Sequence, residues 1–176
     1  HYDALSRPTE LWVTGNGLNH QLEAIEYGET AGASAANNLR GQVRTHADGA
    51  GRTEVDRYDF VGNALVTRRR LRENYRETAN WARNESLDNE TWTSQRRFDA
   101  LNRLVTIVHP DNRQMQYAYH LSGRLRSLTH QEPNRPAETI VSALTYNARD
   151  QRLQLRYGNG VETTYAYDPL TFNLAQ

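Results

Sequence analysis

The sequence predicts an all-β protein, an antiparallel strip of β-hairpin repeats, and three observations carry the prediction. Apolar residues stand at alternate positions over short runs, as in Leu153, Leu155 and Tyr157 and then Val161, Thr163 and Tyr165. These runs break at Gly and Asn clusters such as Gly158-Asn159-Gly160. A period of two closed by a turn cluster is the pattern of a half-buried hairpin and not of a helix. Finally, one turn signal recurs along the whole chain.

That signal is an aromatic residue followed by an Asp-like one. The Asp-like residues are Asp3, Asp48, Asp59, Asp99, His120, Asn147 and Asp168, preceded by Tyr2, Ala47, Tyr58, Phe98, Tyr119, Tyr146 and Tyr167. Asp and Asn favour turns because their side chains accept hydrogen bonds from the backbone two residues on. Three positions later stand Ser6, Gly51, Gly62, Asn102, Gly123, Asp150 and Thr171, mostly residues that enter the left-handed region cheaply. Ser6 and Thr171 fit least well. The starts are 45, 11, 40, 21, 27 and 21 residues apart, an interval of about 21 with half-steps and insertions. Self-similarity at such a period implies a repeat array in which each unit contacts mainly its neighbours.

Taken in order, residues 1–27 read as a turn, a strand at Glu10-Leu11-Trp12-Val13, the Gly15-Asn16-Gly17 turn and a strand from Gln21 to Tyr27. Residues 28–38 are small and polar, a loop or at most a short helix from Ala31 to Leu39. Hairpins resume from Leu39 to Leu65 around Asp48-Gly49-Ala50-Gly51. Residues 67–97 break the pattern: Leu71, Tyr75, Ala79 and Ala82 share helical spacing, which predicts a partly helical insertion near 68–90. From Phe98 to the end the meander is expected to be nearly uninterrupted, with opposite-end turns at Pro110-Asp111-Asn112, Glu132 to Pro136 and Gly158-Asn159-Gly160.

Composition bounds the function. Apolar residues make up 37% of the chain, below the roughly 45–50% of an average domain, which argues for a thin sheet layer and not a thick core. Net charge is zero, so no overall field draws the chain to nucleic acid or an anionic membrane. Arg68 to Arg76 is the one basic stretch, and Glu73, Glu77, Glu85, Asp88 and Glu90 offset it. All 21 basic residues are Arg, whose planar forks stack on Tyr and pair with carboxylates. There is no Cys, which excludes disulfides and thiolate metal sites.

Nothing in the sequence marks a catalytic, cofactor or metal site. The six His are scattered without ligand spacing. Asp59, Asp99 and Asp168 share a place at turn starts, which accounts for all three without an acid pair. The Gly-Asn-Gly triplets lack the Lys-Ser/Thr and helix start of a phosphate loop. The expectation is a protein that is not an enzyme, whose motif residues are structural: Tyr2, Asp3, Tyr58, Asp59, Gly62, Phe98, Asp99, Asn102, Tyr119, Gly123, Tyr146, Asn147, Tyr167 and Asp168.

The runs Tyr2-Asp3-Ala4-Leu5-Ser6-Arg7, Tyr58-Asp59-Phe60-Val61-Gly62-Asn63-Ala64-Leu65, Phe98-Asp99-Ala100-Leu101-Asn102-Arg103-Leu104 and Tyr119-His120-Leu121-Ser122-Gly123-Arg124-Leu125 resemble the YD repeats of the RHS family. Tyr27-Gly28-Glu29, Asn38 to Val43 and Tyr167 to Phe172 resemble more narrowly the repeat region of the B component of insecticidal toxin complexes, related to SpvB-type proteins. The resemblance covers nearly the whole chain. It implies a spiralling hollow shell that encloses a toxin polypeptide, with the remaining repeats of the same or a partner subunit as neighbours. It also implies a secreted or cell-surface bacterial protein, without nucleic-acid binding or membrane insertion by this segment. Residues 1–176 are expected to form a single repeat segment excerpted from a longer protein, because both ends fall inside motifs. The alternative is an extracellular adhesive module that binds glycans or proteins through Tyr and Arg ladders.

Overall fold

A computed structural model of the protein describes residues 1–30 and 34–175. Among these, twelve strands form: β1 (Glu10–Gly15), β2 (Leu18–Tyr27), β3 (Val43–Asp48), β4 (Gly51–Tyr58), β5 (Ala64–Leu71), β6 (Trp92–Phe98), β7 (Leu104–Val108), β8 (Gln114–Tyr119), β9 (Leu125–Gln131), β10 (Glu138–Tyr146), β11 (Arg152–Tyr157) and β12 (Glu162–Thr164). Strand order is chain order. The chain forms two compact units, His1–Gln95 and Arg96–Gln176, and the boundary falls inside β6.

In the first unit, one cross-strand row runs Ile25, His46, Thr53, Arg69 and Trp92 from β2 to β6. Side chains alternate between the faces of a sheet, so the flanking rows point the other way. Those rows are Glu26, Thr45, Glu54, Arg68 and Thr93 on one side and Ala24, Ala47, Arg52 and Arg70 on the other. The segment 72–91 folds onto this second face. Ala79 and Trp81 are buried with Ala47, and Ala24 and Leu87 pack against them. The Trp81 indole N–H donates to the Asp48 carbonyl at 3.1 Å.

The helical spacing of Leu71, Tyr75, Ala79 and Ala82 is not realised. Arg68 to Leu71 pair with β4 and belong to β5, and the only helical turn between β5 and β6 is the 3-10 turn Trp81–Arg83. Tyr75 is exposed while Ala79 is buried, so the four residues share no face. A free sheet edge offers Arg68 to Leu71 a full ladder of backbone hydrogen bonds, and tertiary pairing overrides a short helical pattern. The stretch outside strands is thus 72–91, narrower than 67–97.

Between β2 and β3, Gly28–Thr30 form a 3-10 turn. Of the short helix considered over Ala31 to Leu39, the first three residues lie outside the described residues, and Ser34 to Asn38 form a turn. Leu39 is only 2% exposed and anchors this loop on Val55 and Tyr58. Gly28 is required here, since a Cβ on it would stand 2.4 Å from that of Leu39.

The second unit contains the expected meander and, among the described residues, no helix. Its core joins Val141, Leu144 and Leu155, with Leu125, Leu128, Tyr146 and Tyr165 packed around them. Val141 and Leu144 are three residues apart, which breaks a strict period of two. The ladder shifts register between Val141 and Ala143, and this bulge turns both side chains to the same face. No large side chain is fully buried among the described residues, as the low apolar content implies.

Candidate functional site

The recurring feature is one tight turn used repeatedly. At Asp3, Asp59, Asp99, His120 and Asn147, the backbone N–H of the first residue donates to the carbonyl four residues on, and its own carbonyl accepts from the N–H three residues on. The residue at that third position has positive φ: Ser6 61°, Gly62 98°, Asn102 61°, Gly123 88° and Asp150 64°. This is a three-residue hairpin loop whose last residue is left-handed, so Gly, Asn and Asp recur there for a steric reason. Even Ser6 adopts it. The Asp168 turn is one residue longer: Asp168 N–H reaches the Asn173 carbonyl, and Phe172, not Thr171, carries the positive φ of 59°. The Asp48 turn is a shorter type, with Asp48 paired directly to Gly51.

Side chains lock these turns. One oxygen of Asp3, Asp59, Asp99 and Asn147 accepts from the N–H groups two and four residues on, at 2.9–3.0 Å. The second polar atom meets the side chain four residues on, and the chemistry matches each time. Asp3 and Asp99 accept from Arg7 and Arg103, Asp59 accepts from Asn63, and Asn147 donates to Gln151. The Arg103 and Asn63 side chains beside them hold the Asp99 and Asp59 carboxyls below their ordinary range, and for Asp3 the Arg7 N–H is the main cause.

A carboxylate depressed in this way adds stability that is fully present above its unfolded value and is lost as pH falls through the folded one. Stability should therefore be flat down to about pH 5 and decline below the ordinary carboxylate value of about 3.9. The double substitution Asp99→Asn with Arg103→Gln copies the Asn147–Gln151 pair and should shallow that decline. Chemical unfolding at pH 7 and pH 3 measures it, and an unchanged acid dependence would refute the assignment.

The aromatic residues tie one turn to the next. Tyr58 Oη donates to the Val43 carbonyl at 2.6 Å, Tyr119 Oη to Leu104 at 2.7 Å and Tyr167 Oη to Arg152 at 3.0 Å, always 15 residues back. Leu104 and Arg152 each lie five residues after the Asp-like start of the preceding turn. Tyr27 makes the same reach to Pro8, five after Asp3. Where that turn ends in Arg, the guanidinium bound to Asp also stacks on the Tyr: Arg7 on Tyr27 at 3.8 Å and Arg103 on Tyr119 at 4.6 Å. Asp3–Arg7–Tyr27 and Asp99–Arg103–Tyr119 are thus the same clasp in the two units.

Among the motif residues, Tyr2 is exposed and forms an isolated bridge to Pro8. Phe98 has no hydroxyl to reach with. Tyr146 instead packs edge-on to His120, whose Nε2 bonds the Leu144 carbonyl at 2.7 Å. Sequence reading placed turns at Pro110-Asp111-Asn112 and Gly158-Asn159-Gly160 but did not recognise them as two further copies of this turn, starting at His109 and Tyr157. Their signal was present as Asn112 and Gly160 three residues on, with φ of 63° and 86°. It also missed Tyr27, and the Arg or amide four residues after each start.

Chemically the arrangement is a set of braces. No group of three or more His, Cys, Asp or Glu stands close enough to hold a metal among the described residues. The carboxylates accept hydrogen bonds within their own turns. The sequence matches no family model. It is 29% identical to toxin subunit YenC2 of Yersinia entomophaga over 96% of this chain and 18% of that protein. In structure it matches the TcdB2-TccC3-Cdc42 crystal structure with a TM-score of 0.90 and 26% identity, over 99% of this chain and 9% of that one. It also matches the Photorhabdus luminescens Tc holotoxin pore with a TM-score of 0.84 and 25% identity, over 94% of this chain and 9% of that one. The chain therefore spans less than a fifth of the curated relative and less than a tenth of the solved chains. None of these similarities is to an adhesive protein. By sequence and by fold, the chain is similar to the RHS-repeat shell region of toxin-complex subunits.

Proposed function

We propose that this strip is a wall segment of a toxin-complex shell that encloses a toxin polypeptide, and that it performs no catalysis. The observation that carries the reading is the match over 99% of this chain to 9% of a TcdB2-TccC3-Cdc42 structure's chain. The relative bears a C-subunit name while the repeat motifs resemble a B component, so the proposal concerns the strip common to both halves. Residues 1–176 are read as one repeat segment with an insertion at 72–91, in a longer protein secreted by a bacterium. The motif residues Tyr2, Asp3, Tyr58, Asp59, Gly62, Phe98, Asp99, Asn102, Tyr119, Gly123, Tyr146, Asn147, Tyr167 and Asp168 are structural, forming or flanking its turns, and its partners are further repeats and the enclosed chain.

The turn tips support a packed wall. In the first unit the Asp-type turns present Leu5, Phe60 and Val61 to solvent, and in the second Leu101, Leu121 and Leu170. The opposite turns present polar residues such as Asn16, Asp111, Asn134 and Asn159. Apolar tips repeating every two strands, about 9.6 Å, suit contact with further repeats. The test uses the full-length subunit with its enclosed polypeptide. Leu101→Asp with Leu121→Asp should let protease reach a cargo that is protected in the parent; cargo that remains protected, as in the parent, counts against the wall reading.

A further inference from the structure

In the first unit, Arg52, Arg68 and Arg70 line a depression of about 290 Å³ with Glu54, Leu87 and Thr91. Arg52 on β4 and Arg70 on β5 are directly opposed in register, and Arg68 lies diagonal to Arg52 on the same face. Like charges directly opposite one another destabilise a sheet. Elsewhere this chain opposes charges of unlike sign, as in Glu54 with Arg68 and Glu162 with Arg156. The Arg52–Arg70 pair departs from that rule.

Their contacts leave the charge uncancelled. Arg68 is matched by Asp56 and, at 3.8 Å, by Glu54. Arg70 is held by neutral groups: its Nε donates to the Asp88 carbonyl at 2.8 Å and its Nη2 to the Leu87 carbonyl at 3.2 Å. Arg52 lies over the Trp81 ring at 5.3 Å and forms no ion pair among the described residues. Two guanidiniums are thus fixed in place by a carbonyl clamp and an aromatic face, with donors to spare. Both holding groups come from segment 72–91, which also supplies the Leu87 and Thr91 walls.

We propose that this depression binds a phosphate group, as the free ion or as a monoester. Two uncompensated positive charges match a tetrahedral dianion, whereas a single carboxylate neutralises only one of them. The forked donors of Arg suit phosphate oxygens in particular. The site does not depend on what the strip encloses.

Nitrogen–proton spectra of the arginine side chains test the proposal on the whole chain. Inorganic phosphate should shift the Arg52 and Arg70 Nε resonances saturably at constant ionic strength, and phenyl phosphate should do the same if a monoester is accepted. Acetate at equal ionic strength should not. Arg52→Gln, on an exposed side chain, should weaken phosphate roughly ten-fold, the loss expected for one charge-assisted contact. Arg70→Lys keeps the charge but loses the fork and should also weaken it. Arg126→Gln, which removes the same charge far along the sequence, should leave affinity unchanged. Absence of saturation, acetate binding as tight as phosphate, or equal loss in the Arg126 variant would each overturn the site. Binding of phosphate without phenyl phosphate limits it to the free ion.

Discussion

Arg72→Ala should destabilise the His1–Gln95 unit by about 3–5 kcal/mol, because it leaves a buried carboxylate without its counter-charge. The Arg72 side chain is 2% exposed and that of Glu85 14%. Arg72 Nε and Nη2 donate to Glu85 Oε2 at 3.0 and 2.9 Å, and Nη1 donates to the Gly49 and Glu77 carbonyls. The other Glu85 oxygen accepts from the Asn80 N–H at 2.6 Å, and Asn80 Oδ1 accepts from the Gln21 N–H at 3.2 Å. One ion pair therefore links segment 72–91 to β2 and to the β3–β4 turn. The paired replacement Arg72→Met with Glu85→Leu removes both charges and should cost far less than the single change. Urea unfolding of the three proteins measures the difference. A loss below about 1 kcal/mol for Arg72→Ala, the scale of an exposed pair, would mean that the segment is held by its other contacts, the Ala79–Trp81–Leu87 packing among them, and not by this ion pair.

Gly158→Ala should cost about 3 kcal/mol in the Arg96–Gln176 unit, the upper end for overpacking. A Cβ on Gly158 would lie 1.6 Å from the Thr139 carbonyl oxygen, which is backbone and cannot swing aside. Gly158 approaches β10 closely enough for its N–H to donate to the Ile140 carbonyl at 3.0 Å. Gly160, two residues on, has open space around it and a φ of 86°. Gly160→Asn should be nearly neutral, since Asn tolerates the left-handed region that Asn102 and Asn112 already occupy. Thermal unfolding that ranks the two variants equally would sink the distinction between a glycine needed for space and one needed for its dihedral angle.

The Gly-Asn-Gly triplet shows why some of this protein was legible. A sequence marks the triplet as a turn because all its residues favour turns, but it does not say which glycine has a backbone pressed against it. Likewise Asp99 and Asn102 announce a turn by local chemistry, and the turn forms as their spacing requires. The match between Asn147 and Gln151, or Asp99 and Arg103, is also local and could have been read from the residue four positions on. The reach of Tyr119 to Leu104 could not, because it depends on where the neighbouring strand lies.

Local pattern therefore determined the strands, the turn type and the repeat, since these rest on contacts within a few residues or between adjacent hairpin arms. The low apolar content likewise set a thin core. Tertiary structure alone decided the fate of segment 72–91, where helical spacing lost to pairing of Arg68 to Leu71 with β4 and to the burial of Trp81 and Arg72. It also decided that Arg52 and Arg70, 18 positions apart in the sequence, face one depression. Such outcomes follow from free energy shared between residues distant in sequence, which no short window of residues contains.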